Sequence, residues 1–121
     1  MNDMLSLLLV GHMVGDFLLQ TSWMAERKTT DFAALVVHSA AYTCSVWLVS
    51  LAGQQGGLSP QSVILVFFSH AVIDRRGLVF WWCRHVTRSD SPWLFTVTDQ
   101  TLHCVILAVA YILEKNSLYV V

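Results

Sequence analysis

Four apolar stretches parted by short polar breaks constrain this 121-residue chain more than any other feature. Phe32 to Ala52 runs for 21 residues without a charge. At 1.5 Å per helical residue, that length crosses a hydrocarbon core of about 30 Å. The remaining stretches, Met4 to Met24, Pro60 to Cys83 and Trp93 to Leu113, are of similar length. They predict an all-α fold, an integral membrane four-helix bundle running up and down, with spans near 4–24, 32–52, 60–83 and 93–113. Residues 1–121 then form a single polytopic membrane domain. Composition agrees, because 55% of the residues are apolar and only 12% are charged, outside the range of an ordinary soluble domain.

The breaks carry their own signals. Glu26 to Asp31, E-R-K-T-T-D, ends the first stretch, and Gly53 to Ser59 is a glycine turn with Ser59 as N-cap and Pro60 at the first helical position. Thr87 to Pro92 is a loop with Asp90 and Ser91 as cap candidates, and Glu114 to Val121 is a short tail. At Asp74-Arg75-Arg76-Gly77 the third helix either stops near Arg76 or runs on to Arg84, with Trp81 and Trp82 in a short interfacial segment at headgroup level. The first stretch has no basic residue before it and no small-x-small site after it, so it is expected to stay in the mature protein. Gly11 and Gly15 form a G-x-x-x-G at which another helix, including one from a second copy in a homo-oligomer, could approach closely.

Basic residues set an orientation. Arg27, Lys28, Arg84 and Arg88 lie in the first and third loops, which the positive-inside rule puts in the cytoplasm, with both termini periplasmic. A net charge of −1 without a basic run excludes nucleic acid as a partner and leaves membrane lipids. Cys44, Cys83 and Cys104 have no C-x-x-C spacing and read as small buried hydrophobes.

Polar residues inside the apolar stretches point to a site. His12 and Asp16, His70 and Asp74, and Asp99 and His103 are each four residues apart, one helical turn, whereas chance placement gives about 0.5 such pairs. Gln20 extends the first pair into a stripe, and His38 is the one ionisable residue of the second helix. Counted from the expected cytoplasmic ends, Asp16, His38 and Asp99 all lie roughly 10–15 Å deep, so they can meet. An aspartate at a helix centre costs about 2.5–3.5 kcal/mol on insertion, so each needs a partner.

Imidazole and carboxylate together suit a divalent metal, zinc ahead of manganese or iron. The candidate ligands are His12, Asp16, His38, His70, Asp74, Asp99 and His103, enough for one or two ions. Asp16 and Asp74 are the candidate catalytic bases. Gln20 and Gln100 are expected to hydrogen-bond the ligands, with Ser39, Ser69 and Tyr42 as weaker choices. Arg75 and Arg76 could hold an anionic head group, or act only as positive-inside anchors. His85 has no partner at helical spacing.

H-x-x-x-D-F-x-x-Q in the first helix, a lone His in the second, H-x-x-x-D in the third and D-Q-x-x-H in the fourth resemble a small bacterial membrane family, domain of unknown function 3307. The resemblance covers most of the chain and implies a bacterial inner-membrane location and a shared importance of these positions, but no activity. More loosely, the pattern is similar to inner-membrane metal-dependent hydrolases, an analogy of layout alone. The expected function is a membrane-embedded metal-binding protein, a metal-dependent hydrolase acting on a phosphoester or ester at the cytoplasmic side. The alternatives are a cation or proton carrier or channel subunit, a metal-stabilised accessory subunit, or a plain polar seam that fixes helix packing.

Overall fold

Short polar side chains start most of the helices by accepting hydrogen bonds from otherwise unpaired backbone N–H groups. Asp3 caps α1 (Met4–Met13), Thr21 caps α2 (Ser22–Arg27), and Asp31 caps α3 (Phe32–Ser50). Ser59 caps α4 (Pro60–Asp74) with Pro60 in its first turn, as the turn sequence predicts. Two further helices, α5 (Gly77–Trp82) and α6 (Pro92–Tyr119), complete an all-α chain with no strand among the described residues. The computed structural model describes residues 3–119, so the ends of the expected 1–121 domain and the last two residues of the expected tail lie outside it.

Two helix boundaries differ from expectation, and a third follows one of the two readings of D-R-R-G. The first stretch is not one helix to Met24: α1 passes into a π-helical segment, Val14–Leu18, closed by Leu19 N–H donating to Val14 C=O at 3.0 Å, and the chain restarts as the short, largely exposed α2. The third helix ends at Asp74, because Arg76 adopts a left-handed conformation with φ of 63°. Its continuation to Cys83 is the separate helix α5, followed by a π-helical segment, Cys83–Thr87. The fourth helix runs on through most of the expected tail to Tyr119. Glu114 anchors that extension, its carboxylate accepting from Ser59 N–H at 2.8 Å and Ser59 Oγ–H at 2.6 Å.

The long helices pack in a ring, α1 on α3 and α6, and α4 on α3 and α6. One apolar cluster, Met4, Leu8, Tyr42, Val46, Leu58, Val66, Leu107 and Ala110, fills one end, and Ile73, Val79 and Cys83 form a second. Between them the usual distribution is inverted. His38 and Asp74 are 0% exposed, whereas Leu18 is 77% and Phe68 63% exposed. Cys44 and Cys104 join that apolar exterior, so only Cys83 is buried as expected. Phe32–Ser50 and Pro92–Leu118 are long and apolar enough to cross a membrane, while the apolar helices Met4–Leu18 and Pro60–Asp74 are shorter.

Gly11 and Gly15 serve an internal contact. A Cβ on Gly11 would sit 2.7 Å from Val46 Cα, and one on Gly15 would sit 3.0 Å from Tyr42 Cα, so both glycines let α1 approach α3. The pair is therefore spent within the chain and offers no face to a second copy. Gly11→Ala is expected to lower stability by about 1–3 kcal/mol through overpacking against backbone. Gly77→Ala, where an added Cβ meets nothing within 4 Å, is expected to be neutral. Thermal unfolding in detergent checks both.

Candidate metal centre

The ring of helices brings the histidines and aspartates of four different elements into one buried cluster. Asp16 comes from the π-helical segment, His38 from α3, His70 and Asp74 from α4, and Asp99 and His103 from α6. All six are at most 6% exposed. Asp16, His38, His70 and Asp74 each offer one ligand atom, all within 4.8 Å of one another, and Asp16, Asp99 and His103 form a second such set. Nitrogen and oxygen ligands bound at about 2.1 Å to one ion lie roughly 3–4 Å apart, so small side-chain shifts would bring either set to bonding distance.

Asp74 is the hub. His38 Nε2 lies 3.0 Å and His70 Nε2 3.2 Å from its Oδ2, and His103 Nε2 lies 3.3 Å from its Oδ1. These approaches lack the angles of hydrogen bonds. Asp74 Oδ1, both His70 nitrogens and His103 Nε2 are buried without a hydrogen-bond partner among the described residues, while Asp74 Oδ2 is met by a buried lysine ammonium, Lys28 Nζ. For His103 the conflict is sharpest. Its Nδ1–H donates to the Asp99 carbonyl at 2.8 Å, so in the neutral ring Nε2 directs a lone pair at a carboxylate oxygen. Two acceptors facing each other need a proton or a metal ion between them. A ring anchored through Nδ1 with Nε2 left over is also how ligating histidines are held.

The remaining polar residues form a directional chain of hydrogen bonds. Tyr42 O–H donates to His12 Nδ1 at 2.9 Å, and His12 Nε2–H donates to Gln100 Oε1 at 2.8 Å. The Gln100 amide then donates to Asp16 Oδ2 at 3.2 Å and to Asp99 Oδ2 at 3.1 Å. His38 Nε2–H donates to Asp16 Oδ1 at 3.2 Å. Tautomer and amide orientation follow from this network, since the opposite assignment would oppose amide oxygen to two carboxylates. His12 thus has both nitrogens occupied and sits behind the cluster, outside both ligand sets, where the one-turn spacing to Asp16 had placed it among the ligands. The π-helical segment between them changes the register.

Other expected residues are more distant. Gln20 falls beyond the end of the π-helical segment, and its buried Oε1 has no hydrogen-bond partner among the described residues. Ser69 Oγ–H turns back to the Leu65 carbonyl at 2.6 Å, and Ser39 Oγ is buried without a hydrogen-bond partner among the described residues. Tyr42 is more central than expected. Besides its bond to His12, it stacks on His70, with ring centroids 3.8 Å apart. Arg75 is exposed and Arg76 partly so, beside Asp74 in sequence. His85 is exposed and bonded to the Trp81 carbonyl.

Lys28 is the residue that sequence reasoning missed. It closes α2, is only 7% exposed, and places Nζ 2.8 Å from Asp74 Oδ2. The signal available was its position in the loop expected on the same side as the ligands, where it read only as an orientation charge.

Helices with an apolar exterior and a buried cluster of three histidines and three aspartates define an all-α protein with a candidate metal centre between its helices. The sequence profile of the family described as Protein of unknown function (DUF3307) matches residues 4–120, and the chain belongs to that family. No curated protein and no solved structure matches it significantly.

Gln100→Glu would replace two N–H donors by an acceptor wedged between Asp16 and Asp99. A loss of about 2–4 kcal/mol is expected, in line with an uncompensated buried charge. Gln100→Leu should cost less, because it removes the donors without adding charge. Denaturant or thermal unfolding of the two variants checks the order.

Proposed function

We propose that the protein is a multi-pass membrane protein built around a divalent-metal centre, and that it hydrolyses a phosphoester or ester presented at the cytoplasmic side of the bilayer. The observation that carries this reading is the set of buried, hydrogen-bond-deficient ring nitrogens and carboxylate oxygens facing one another around Asp74. A polar seam would satisfy these atoms with each other, as it does along Tyr42, His12 and Gln100; here Lys28 meets Asp74 Oδ2, but Asp74 Oδ1, the His70 nitrogens and His103 Nε2 converge without hydrogen bonds. The apolar exterior supports the membrane setting, with four helical passes formed by α1 and its π-helical extension, α3, α4 and α6.

The residues divide the work. His38, His70, Asp74 and one oxygen of Asp16 would hold an ion, with His103 and Asp99 beside them; zinc, manganese and iron all accept such a donor set. When bound, the ion supplies a water of near-neutral pKa and polarises a substrate oxygen. Asp16 is the better base of the two expected candidates, since Asp74 is enclosed by three rings and Lys28 and is suited to holding the ion. Gln100 keeps the Asp16 carboxylate turned toward His38. Arg75, exposed next to Asp74, offers a charge for an anionic head group.

Metal analysis of detergent-purified protein is the first test: the wild type is expected to carry zinc, manganese or iron, and His70→Ala and Asp74→Asn to lose it. Stripping the metal should lower the melting temperature, and adding it back should restore it by mass action. Turnover of a panel of lipid phosphates and esters with each metal tests the chemistry. Asp16→Asn should fold, bind metal more weakly, and lose turnover even when metal is supplied in excess. Cation flux in sealed vesicles without turnover would instead identify a carrier.

Orientation has its own test. In a background whose native cysteines are replaced, Arg27→Cys should be labelled by an impermeant reagent only from the cytoplasm, since Arg27 is exposed on α2.

A further inference from the structure

Lys28 is a buried cation that the proposed hydrolysis does not use. It reaches Asp74 from the turn between α2 and α3, an element that contributes no other residue to the cluster. Its Nζ stands 2.8 Å from Oδ2, the oxygen that His38 Nε2 and His70 Nε2 also approach, at 3.0 and 3.2 Å. An ion coordinated by those two rings and Oδ2 would therefore lie within a few ångströms of the ammonium group. Two cations so close in a buried setting repel strongly, and salt screens them little.

The charges lead to the same conclusion. With the imidazoles neutral, as metal ligands are, Asp16, Asp74 and Asp99 bring three negative charges into the cluster and Lys28 one positive, leaving two to be balanced, the charge of one divalent ion. The other basic residues near the α4 terminus, Arg75 and Arg76, are exposed or partly so and make no ion pair among those of the described residues, so of these three Lys28 is the one that pairs with the cluster.

We propose that Lys28 is an internal counter-cation of the metal centre: it neutralises Asp74 before an ion enters, is displaced from Oδ2 when the ion binds, and so weakens the site's affinity for metal. The inference rests on the metal-centre reading. It makes an unusual demand, that removing a residue in contact with a ligand should tighten binding. A residue that merely shaped the site would weaken it when removed.

The test uses the full chain in detergent, as purified with its metal and after stripping. Wild type, Lys28→Met and Lys28→Arg are titrated with Mn2+ alone and with Zn2+ alone, and the as-purified proteins are challenged with increasing chelator. Lys28→Met is expected to bind about tenfold tighter or more, and to need about tenfold more chelator for half-extraction, while Lys28→Arg, which keeps the charge, stays within about threefold of wild type. The chelator arm requires no metal-free state, so it still decides if stripped Lys28→Met fails to fold. Unchanged or weaker binding by Lys28→Met would overturn the role of Lys28 and leave the metal centre standing. A wild type that binds neither ion would overturn both.

Discussion

One carboxylate organises the molecule. Asp74 has no exposure to solvent, and an ion taken out of water loses several kcal/mol of hydration that only close partners can replace. Those partners come from α3, α4, α6 and the turn after α2, through His38, His70, His103 and Lys28. Because each element holds part of the compensation, none can slide along its neighbours without leaving a charge stranded. Apolar packing at Leu8, Val46 and Leu107 brings the helices together, but it is indifferent to small shifts in register; the cluster around Asp74 is not.

A second layer sets direction. Tyr42, His12 and Gln100 form a chain in which each group donates to the next and ends on Asp16 and Asp99. Carboxylates facing a site could rotate freely in an apolar pocket, and the amide prevents that by taking one oxygen of each. The stacking of Tyr42 on His70 ties this chain to the Asp74 group. Orientation and charge balance are thus supplied by different residues, with Tyr42 common to both.

Helical spacing made the members of the cluster legible. His70 and Asp74, and Asp99 and His103, lie one turn apart on continuous α-helix, so the sequence pattern survives into space. It fails at His12, Asp16 and Gln20, where the Val14–Leu18 segment is wound to a wider turn and then stops. Nothing in V-G-D-F-L announces that turn, which depends on packing against α3. The end of the third helix at Asp74 was one of two readings of D-R-R-G, because Arg76 in a left-handed conformation is disfavoured by its own Cβ and has no marker in composition. Lys28 stayed hidden for another reason. A loop lysine between an arginine and two threonines reads as solvated, and its partner lies on a different helix. The paired glycines were visible, but spacing could not say whether the helix they admit belongs to this chain or another; α3 answers that.

The early end of α4 matters beyond the site. Fifteen residues, Pro60–Asp74, rise about 22 Å, some 8 Å less than the hydrocarbon core of an average bilayer. The apolar helix Met4–Leu18 on the other side of the ring is equally short. In the proposed membrane setting, lipid that thins to match these two helices would not need to do so along α3 and α6. That thinning would fall near Asp74, which closes α4, and Asp16, within the π-helical end of the first helix, and would draw head groups and water toward the cluster. A centre that is buried with respect to protein would then lie just beneath a dimple in the bilayer, close to the ester and phosphate layer of the lipids themselves.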